Sequence, residues 1–449
     1  MKTVFVVGAG PAGLFAAQKI ALAGHTVVIL NRDIKPGGLA EYGIYPTKDK
    51  MKTGLRKQFT KVLALPNVHY FGHVCVAENG CIPIRELREL NPAAIVFAVG
   101  AQGTKKLGLE GSSAKGVYSA KDFVYFYNQL PPYTSQDFSA GKHIAVIGMG
   151  NVAIDIAHWF LVDAPDKPET VTIVARRGPF EAKFDKKEFA FVEHYLDREA
   201  FQAELERIRP QLEAIGQDIG KVSEDNFPIL AKPRVEPPGT GRLLFRFLSS
   251  PCSIHTDDAG RINRLRVTEN ALVQRDESVA CKATERTAEL HVDTMIFAIG
   301  DVADPNLGLP YGTDCYLVNP DTEDPQRAAF EVYDSERCCP MEGIYVVGWA
   351  RKASEGLVGI ARHDGEVGAA QVLKYLEGVP EKESIAPEEI KRRIEAKGVR
   401  VVDKADLELL AKAESEQAAS RGIGWFKFSE DDAMLAAIDE QRQRAGALV

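Results

Sequence analysis

Two short glycine-bearing segments are the parts of this sequence best suited to chemistry: Gly8-Ala9-Gly10-Pro11-Ala12-Gly13 and Gly148-Met149-Gly150-Asn151-Val152-Ala153. At this spacing the first glycine permits a tight turn and the second lets backbone N–H groups approach a pyrophosphate. The third position allows a helix to pack closely on a strand. A helix opening at such a turn points unpaired N–H groups and its positive dipole end at the anion. Downstream of the second segment, at the end of the next strand, stands Arg176-Arg177-Gly178-Pro179. Guanidinium forks match a 2′-phosphate, whereas a carboxylate there would accept from a ribose 2′-hydroxyl. The corresponding place after the first segment reads Leu30-Asn31-Arg32-Asp33. Its ribose partner is either the Asn31 amide oxygen or the Asp33 carboxylate. The arginine pair points to NADPH at the second turn and, by elimination, to FAD at the first.

The elements that must position these residues are also legible. Residues 3–8 (TVFVVG) form an apolar, β-rich run, a helical pattern follows the glycine turn as far as Gly24, and residues 26–30 make the next strand. The unit repeats as strand 142–148, a helix through Leu161 and strand 171–175. Strand, glycine turn, helix and strand within about thirty residues is the context that gives such a motif meaning. Three further strands end in glycine, at Gly100, Gly300 and Gly348, like the strand that crosses back beneath a dinucleotide. The last continues through Trp349 to Gly356-Leu357-Val358. A helix opening there aims N–H groups at a flavin pyrimidine and stabilises negative charge on it. Trp349 suits the ring and the core equally well.

The expected fold class is therefore α/β, with two Rossmann-like doubly wound domains. The FAD domain runs over residues 1–102 and resumes over 335–378. The NADP domain, 103–334, is inserted in it, and 379–449 form a C-terminal helical extension.

Composition removes other classes. No apolar run approaches the roughly 18–20 residues of a membrane span. Strand pattern starts at Thr3, leaving no room for a cleavable signal. The seven cysteines include an adjacent pair, Cys338 and Cys339, but no CxxC, which argues against zinc, a four-cysteine cluster or a disulfide reductase. A cytoplasmic protein is expected. The net charge of −8 argues against nucleic acid as a partner. Against that background residues 232–266 hold seven Lys/Arg and three Asp/Glu, and the segment from Asp403 onward holds six and ten. A basic face on an acidic protein can steer an acidic macromolecule.

In order along the chain, the segments GAGPAG, PGGLAEYGIYPTK, GVYSAKDFVYFYNQLP, GMGNVAIDIA, RRGPFEAKFDKKE and GWARKASEGLV resemble the adrenodoxin reductase family of ferredoxin–NADP reductases. The resemblance covers nearly the whole chain. It implies that Gly8, Gly10, Pro11, Ala12, Gly13, Asn31, Gly38, Leu39, Val74, Gly100, Gly348, Trp349, Gly356, Leu357 and Val358 line the FAD. It implies that Gly148, Gly150, Asn151, Val152, Ala153, Arg176, Arg177, Glu188 and Gly356 line the NADP. Asp155 matches an acid kept near the flavin, and Lys48 stands where the family has a histidine. Asp155, Trp349 and Lys48 are thus the residues expected near the reacting centre. Phe191 replaces a second acidic residue of the NADP site. PGGLAEYGI and GIARHDGEVGAA lean toward the glutamate synthase small subunit.

The implied activity is hydride transfer from NADPH to FAD and single-electron transfer to a ferredoxin. This acidic iron–sulfur protein would dock on a basic face that includes Arg242 and Arg246. The rival is the electron-input subunit of a glutamate synthase-like complex. Such subunits carry cysteine clusters ahead of the first glycine turn, and no such residues stand here.

Overall fold

The computed structural model describes residues 1–446 except 225, 234, 238, 276, 277, 322, 354, 355 and 382–384. The chain divides into two compact units. One comprises Met1–Lys105, Tyr125–Ser135 and Gly300–Val449, the other Lys106–Val124 and Gln136–Ile299.

The first unit is built on a six-stranded sheet. Its spatial order is Glu331–Asp334, Cys339–Val346, Ala94–Phe97, Thr3–Val7, Thr26–Leu30 and Val68–Phe71. All pairings are parallel except the first. Every residue of Thr3–Val7 and Thr26–Leu30 is buried, as expected for strands covered on both faces. On one face lie the helices Pro11–Leu22 and Val358–Gly378, which pack with the sheet into one apolar cluster. They cross so closely that a Cβ at Gly365 would lie 2.2 Å from the carbonyl oxygen of Ala12. On the other face Leu87, Leu90, Leu307, Ile390 and Ile394 join a second cluster. A third combines Ile34 with Val402, Leu410, Met434 and Ile438, and so seats the helices Lys404–Ser420 and Asp431–Gly446.

The second unit has a five-stranded parallel sheet ordered Val117–Ser119, Thr294–Phe297, His143–Ile147, Thr170–Val174 and Arg242–Arg246. An antiparallel sheet of Ser249–Thr256, Ile262–Arg275 and Ser278–His291 accompanies it. Phe201, Phe227, Phe245 and Phe247 interlock beside the parallel sheet, with the Phe201 and Phe227 rings 4.8 Å apart.

Both units match the expected α/β class. The expected NADP-domain boundaries do not coincide with the division of the chain. The second unit starts at Lys106 and ends at Ile299, and residues 125–135 fall in the first. The physical reason at the far end is burial: Ala303, Leu307, Leu309 and Tyr316 join the second cluster of the first unit, so the chain is back in that unit well before residue 334. The expected C-terminal extension is helical, as Pro387–Glu395, Lys404–Ser420 and Asp431–Gly446.

Candidate active site

Thr3–Val7 delivers Gly8, whose N–H donates to the Leu30 carbonyl at 2.7 Å. Gly8 has φ 104°, and a Cβ there would meet the Ala98 carbonyl oxygen at 2.5 Å. A Cβ at Gly13 would lie 2.0 Å from the Gly8 carbonyl oxygen, whereas nothing lies within 4 Å of one at Gly10. The helix Pro11–Leu22 opens from Gly10 with no side-chain cap. A backbone floor, an open front and uncapped N–H groups make a cradle that a pyrophosphate fits. Gly37 donates its N–H to the Ala9 carbonyl at 2.8 Å. Gly38, with φ 49°, would bring a Cβ within 3.1 Å of the Gly10 Cα. Half-buried Leu39 then starts the short helix Leu39–Tyr42. Val74 is buried, and its N–H donates to the Asn31 carbonyl at 2.9 Å.

Asn31 bonds protein groups through both ends of its amide. It is buried, its Oδ1 accepts from the Ala9 N–H at 2.9 Å, and its Nδ2 donates to the carbonyls of Asp33 (2.8 Å) and Lys35 (3.1 Å) and to the Tyr70 hydroxyl (3.1 Å). An amide serves both demands at once, donor and acceptor, which a carboxylate does not. Asn31 braces the loop behind the turn. Asp33, the other candidate, is 3.0 Å from the Arg32 Nε.

At the end of Cys339–Val346, Gly348 (φ 66°) donates its N–H to the Asp364 Oδ2 at 2.6 Å. The Arg351 guanidinium binds the same carboxylate and lies 4.2 Å over the Phe330 ring. Asp364 thereby fixes the approach to half-buried Trp349. Its segment, GIARHDGEVGAA, stood out for another resemblance, but nothing there marked the aspartate as an acceptor. Its acceptor role depends on a backbone N–H sixteen residues earlier. Gly356 has φ 80°, and Val358–Gly378 starts uncapped at Leu357, which is 70% exposed. Ser354 and Glu355 of the same motif lie outside the described residues. Gly100 (φ 72°) faces only the Gln102 side chain, at 3.6 Å from its Cβ position. Lys48 is half-buried immediately before the helix Asp49–Leu63.

The second turn repeats the first. Gly148 donates to the Val174 carbonyl at 3.0 Å, has φ 127°, and would place a Cβ 2.2 Å from the Ala298 carbonyl oxygen. Gly150 again opens on space and starts the uncapped helix Asn151–His158. Buried Ala153 takes the third glycine's place, and Val152 is 45% exposed. The loop beyond Pro179 folds over this turn. The Lys183 N–H donates to the Met149 carbonyl at 3.0 Å, and the Asp185 N–H to the Asn151 Oδ1 at 2.7 Å. Half-buried Glu188 follows in the four-residue helix Lys186–Phe189. Arg176 is exposed and Arg177 half-buried, and neither guanidinium has an ion pair among the described residues. Asp155 lies in the helix Asn151–His158, half-buried. Phe191 stacks on His158 with centroids 5.2 Å apart.

The expected docking pair divides. Arg242 is exposed and 3.0 Å from Asp197. Arg246 is 16% exposed and sits between Glu269 (3.1 Å) and Glu204 (3.5 Å), with Arg207 on the same two acids. Burial and then Arg207 pull its pKa down from the ordinary arginine range. Arg246 is part of an internal ion-pair network and offers no free charge. Arg234, in the same basic stretch, lies outside the described residues.

Comparison with known proteins follows the same geometry. A model of the pyridine nucleotide-disulphide oxidoreductase family matches residues 2–207. NADPH-ferredoxin reductase FprA of Mycobacterium tuberculosis is 31% identical over 405 residues, 83% of this chain and 84% of that one. The chain belongs to the adrenodoxin reductase-type ferredoxin–NADP reductase family. Within that family, FprA of Mycobacterium leprae is 30% identical, covering 87% of this chain and 88% of its own. The mitochondrial NADPH:adrenodoxin oxidoreductase of Salvelinus fontinalis is 27% identical, covering 93% and 87%. The solved structure of M. tuberculosis FprA in complex with NADPH superposes with a TM-score of 0.81 at 26% identity, covering 97% of this chain and 99% of that one. No helix among the described residues of this family member is long and apolar enough to cross a membrane.

Proposed function

We propose that this chain is an FAD-dependent oxidoreductase that takes hydride from NADPH and hands single electrons to a ferredoxin-type acceptor in the cytoplasm. The observation that carries the reading is the pair of turns with matching contacts at Gly8 and Gly148, of which only the second is followed by two arginines without ion pairs. Gly8, Gly10, Ala12 and Gly13 would hold the FAD pyrophosphate, with Gly38, Leu39 and Val74 beside it. Gly148, Gly150, Asn151, Val152 and Ala153 would hold that of NADP, with Glu188 nearby and Arg176 and Arg177 on the 2′-phosphate.

Bound FAD supplies the exchange between a two-electron donor and a one-electron acceptor. The protein binds, orients and neutralises. The uncapped N–H groups at Gly356, Leu357 and Val358 would face negative charge on the reduced ring. Asp364 fixes the backbone at Gly348 and so the placement of Trp349. Asp155 and Lys48 are assigned to the reacting centre on the family pattern.

The test is cofactor identity and preference. Flavin released from the purified protein should be FAD, and NADPH should be preferred over NADH. Charge-assisted bonds to the 2′-phosphate are worth roughly 1.5–3 kcal/mol each, about ten- to a hundred-fold per arginine. Replacing both Arg176 and Arg177 by Ala should raise the NADPH KM far more than the NADH KM. Release of FMN alone, or equal effects on both coenzymes, would refute the assignment.

A further inference from the structure

Residues 31–42 lie against the first glycine turn through the Gly37 N–H to Ala9 bond and the close approach of Gly38 to Gly10. Their outer side is held by the C-terminal part of the chain. Ile34, 1% exposed, plugs the cluster of Val402, Leu410, Met434 and Ile438. The Lys35 Nζ is 2.5 Å from the Glu414 Oε2, and the other oxygen of Glu414 accepts from the Phe428 N–H at 3.3 Å. One residue earlier, the Lys427 side chain is 1% exposed. Its Nζ donates to the Asn128 carbonyl at 2.7 Å and to the Glu41 Oε1 at 3.3 Å, and lies 4.4 Å from the Tyr42 ring centroid. Glu41 also receives a bidentate Arg56, at 2.7 and 2.8 Å, while Lys52 donates to the Asn128 Oδ1 at 2.8 Å.

We propose that Lys427 is a positioning residue for the first dinucleotide site, latching residues 37–42 against the Gly10 turn through Glu41. The proposal rests on FAD occupying that turn. Glu41 links Lys427 to the turn because the Glu41 and Tyr42 N–H groups both bond the Gly38 carbonyl, at 3.0 and 2.9 Å. Holding the Glu41 carboxylate therefore holds Gly38 in its left-handed conformation beside Gly10.

The latch has a proton signature. Lys427 faces Glu41 and Tyr42 from the short helix, Lys52 and Arg56 from the helix Asp49–Leu63, Lys35 from the loop ahead of the short helix and Trp425 on its own segment. Burial draws Lys427 down to about 7 and Lys52 to about 8. Glu41, against burial that raises it, is held at about 2 by Arg56 and Lys427. Opening the latch returns Lys427 to water, where a lysine keeps its proton to about pH 10.4. Opening therefore takes up a proton between about pH 7 and that value, and is increasingly opposed as pH rises across this window.

The experiment measures FAD release from the holoprotein by the fluorescence of freed flavin, from pH 6.5 to 9. Wild-type release should slow at least tenfold between pH 7 and 9. Lys427→Met, which leaves the Asn128 carbonyl without this donor, should release FAD at least tenfold faster at pH 9, with a shallower pH profile. Affinity for 2′,5′-ADP, a ligand of the second turn, should stay unchanged. Glu41→Gln leaves Lys427 facing cations, so the midpoint of its release curve should move to lower pH. Lys427→Met with wild-type rates and profile, or Glu41→Gln with an unmoved midpoint, overturns the latch alone. A wild-type protein without FAD overturns the latch and the site assignment together.

Discussion

Gly8 rests so closely on Ala98 that a Cβ on the glycine would lie 2.5 Å from the alanine's carbonyl oxygen, and Gly148 stands to Ala298 in the same relation at 2.2 Å. The first residue of each turn is thus committed to glycine twice, by a positive φ and by this contact. Gly8→Ala should yield protein with less than a tenth of the normal flavin content, read from the visible absorbance. Gly148→Ala should keep its flavin and lose reduction by NADPH at least tenfold. Normal flavin content in Gly8→Ala, or normal reduction in Gly148→Ala, would contradict the account of the turns.

Asn31→Glu should weaken FAD retention. The glutamate would set a carboxylate against the carbonyls of Asp33 and Lys35, which now accept from the Asn31 Nδ2. Losing those donors in a buried place costs about 1–3 kcal/mol each, so the apparent Kd for FAD should rise at least tenfold. Tighter binding would show that position 31 reads the ribose after all.

Charge reversal should separate Arg242 from Arg246. Arg246→Glu puts a third carboxylate beside Glu204 and Glu269. Breaking such a buried pair costs roughly 3–5 kcal/mol, so the melting temperature should fall, and ferricyanide and ferredoxin-linked activities should drop together. Arg242→Glu, at an exposed site, should leave ferricyanide reduction normal. If Arg242 meets the acceptor, its reversal slows ferredoxin-dependent cytochrome c reduction several-fold at low salt. A stable Arg246→Glu protein that loses only the ferredoxin step would restore Arg246 to a docking role.

What the sequence showed and what it hid divide along chain distance. The two turns, the strands at residues 3–7 and 143–147 and the arginine pair are local patterns, each readable from its own neighbourhood. The bracing bonds of Asn31 were hidden because its protein partners include Tyr70, a whole βαβ unit away. Arg246 looked like free charge because the acids that neutralise it come from the helix Arg198–Glu213 and the strand Ile262–Arg275. Lys427 and Asp364 were invisible for the same reason. The boundary at Ile299 was hidden because what returns the chain to the first unit is the burial of Ala303, Leu307 and Leu309 in its core, not a change of composition.

The central claim is that a two-electron donor feeds a one-electron acceptor through the two turns. It is tested most directly by anaerobic titration of the purified protein with NADPH, followed by a ferredoxin coupled to cytochrome c. Stoichiometric bleaching of the flavin by NADPH, then cytochrome c reduction that requires the ferredoxin, is the expected result. A flavin that NADPH leaves oxidised, or that is reduced but passes nothing to any ferredoxin while remaining competent toward ferricyanide, would contradict it.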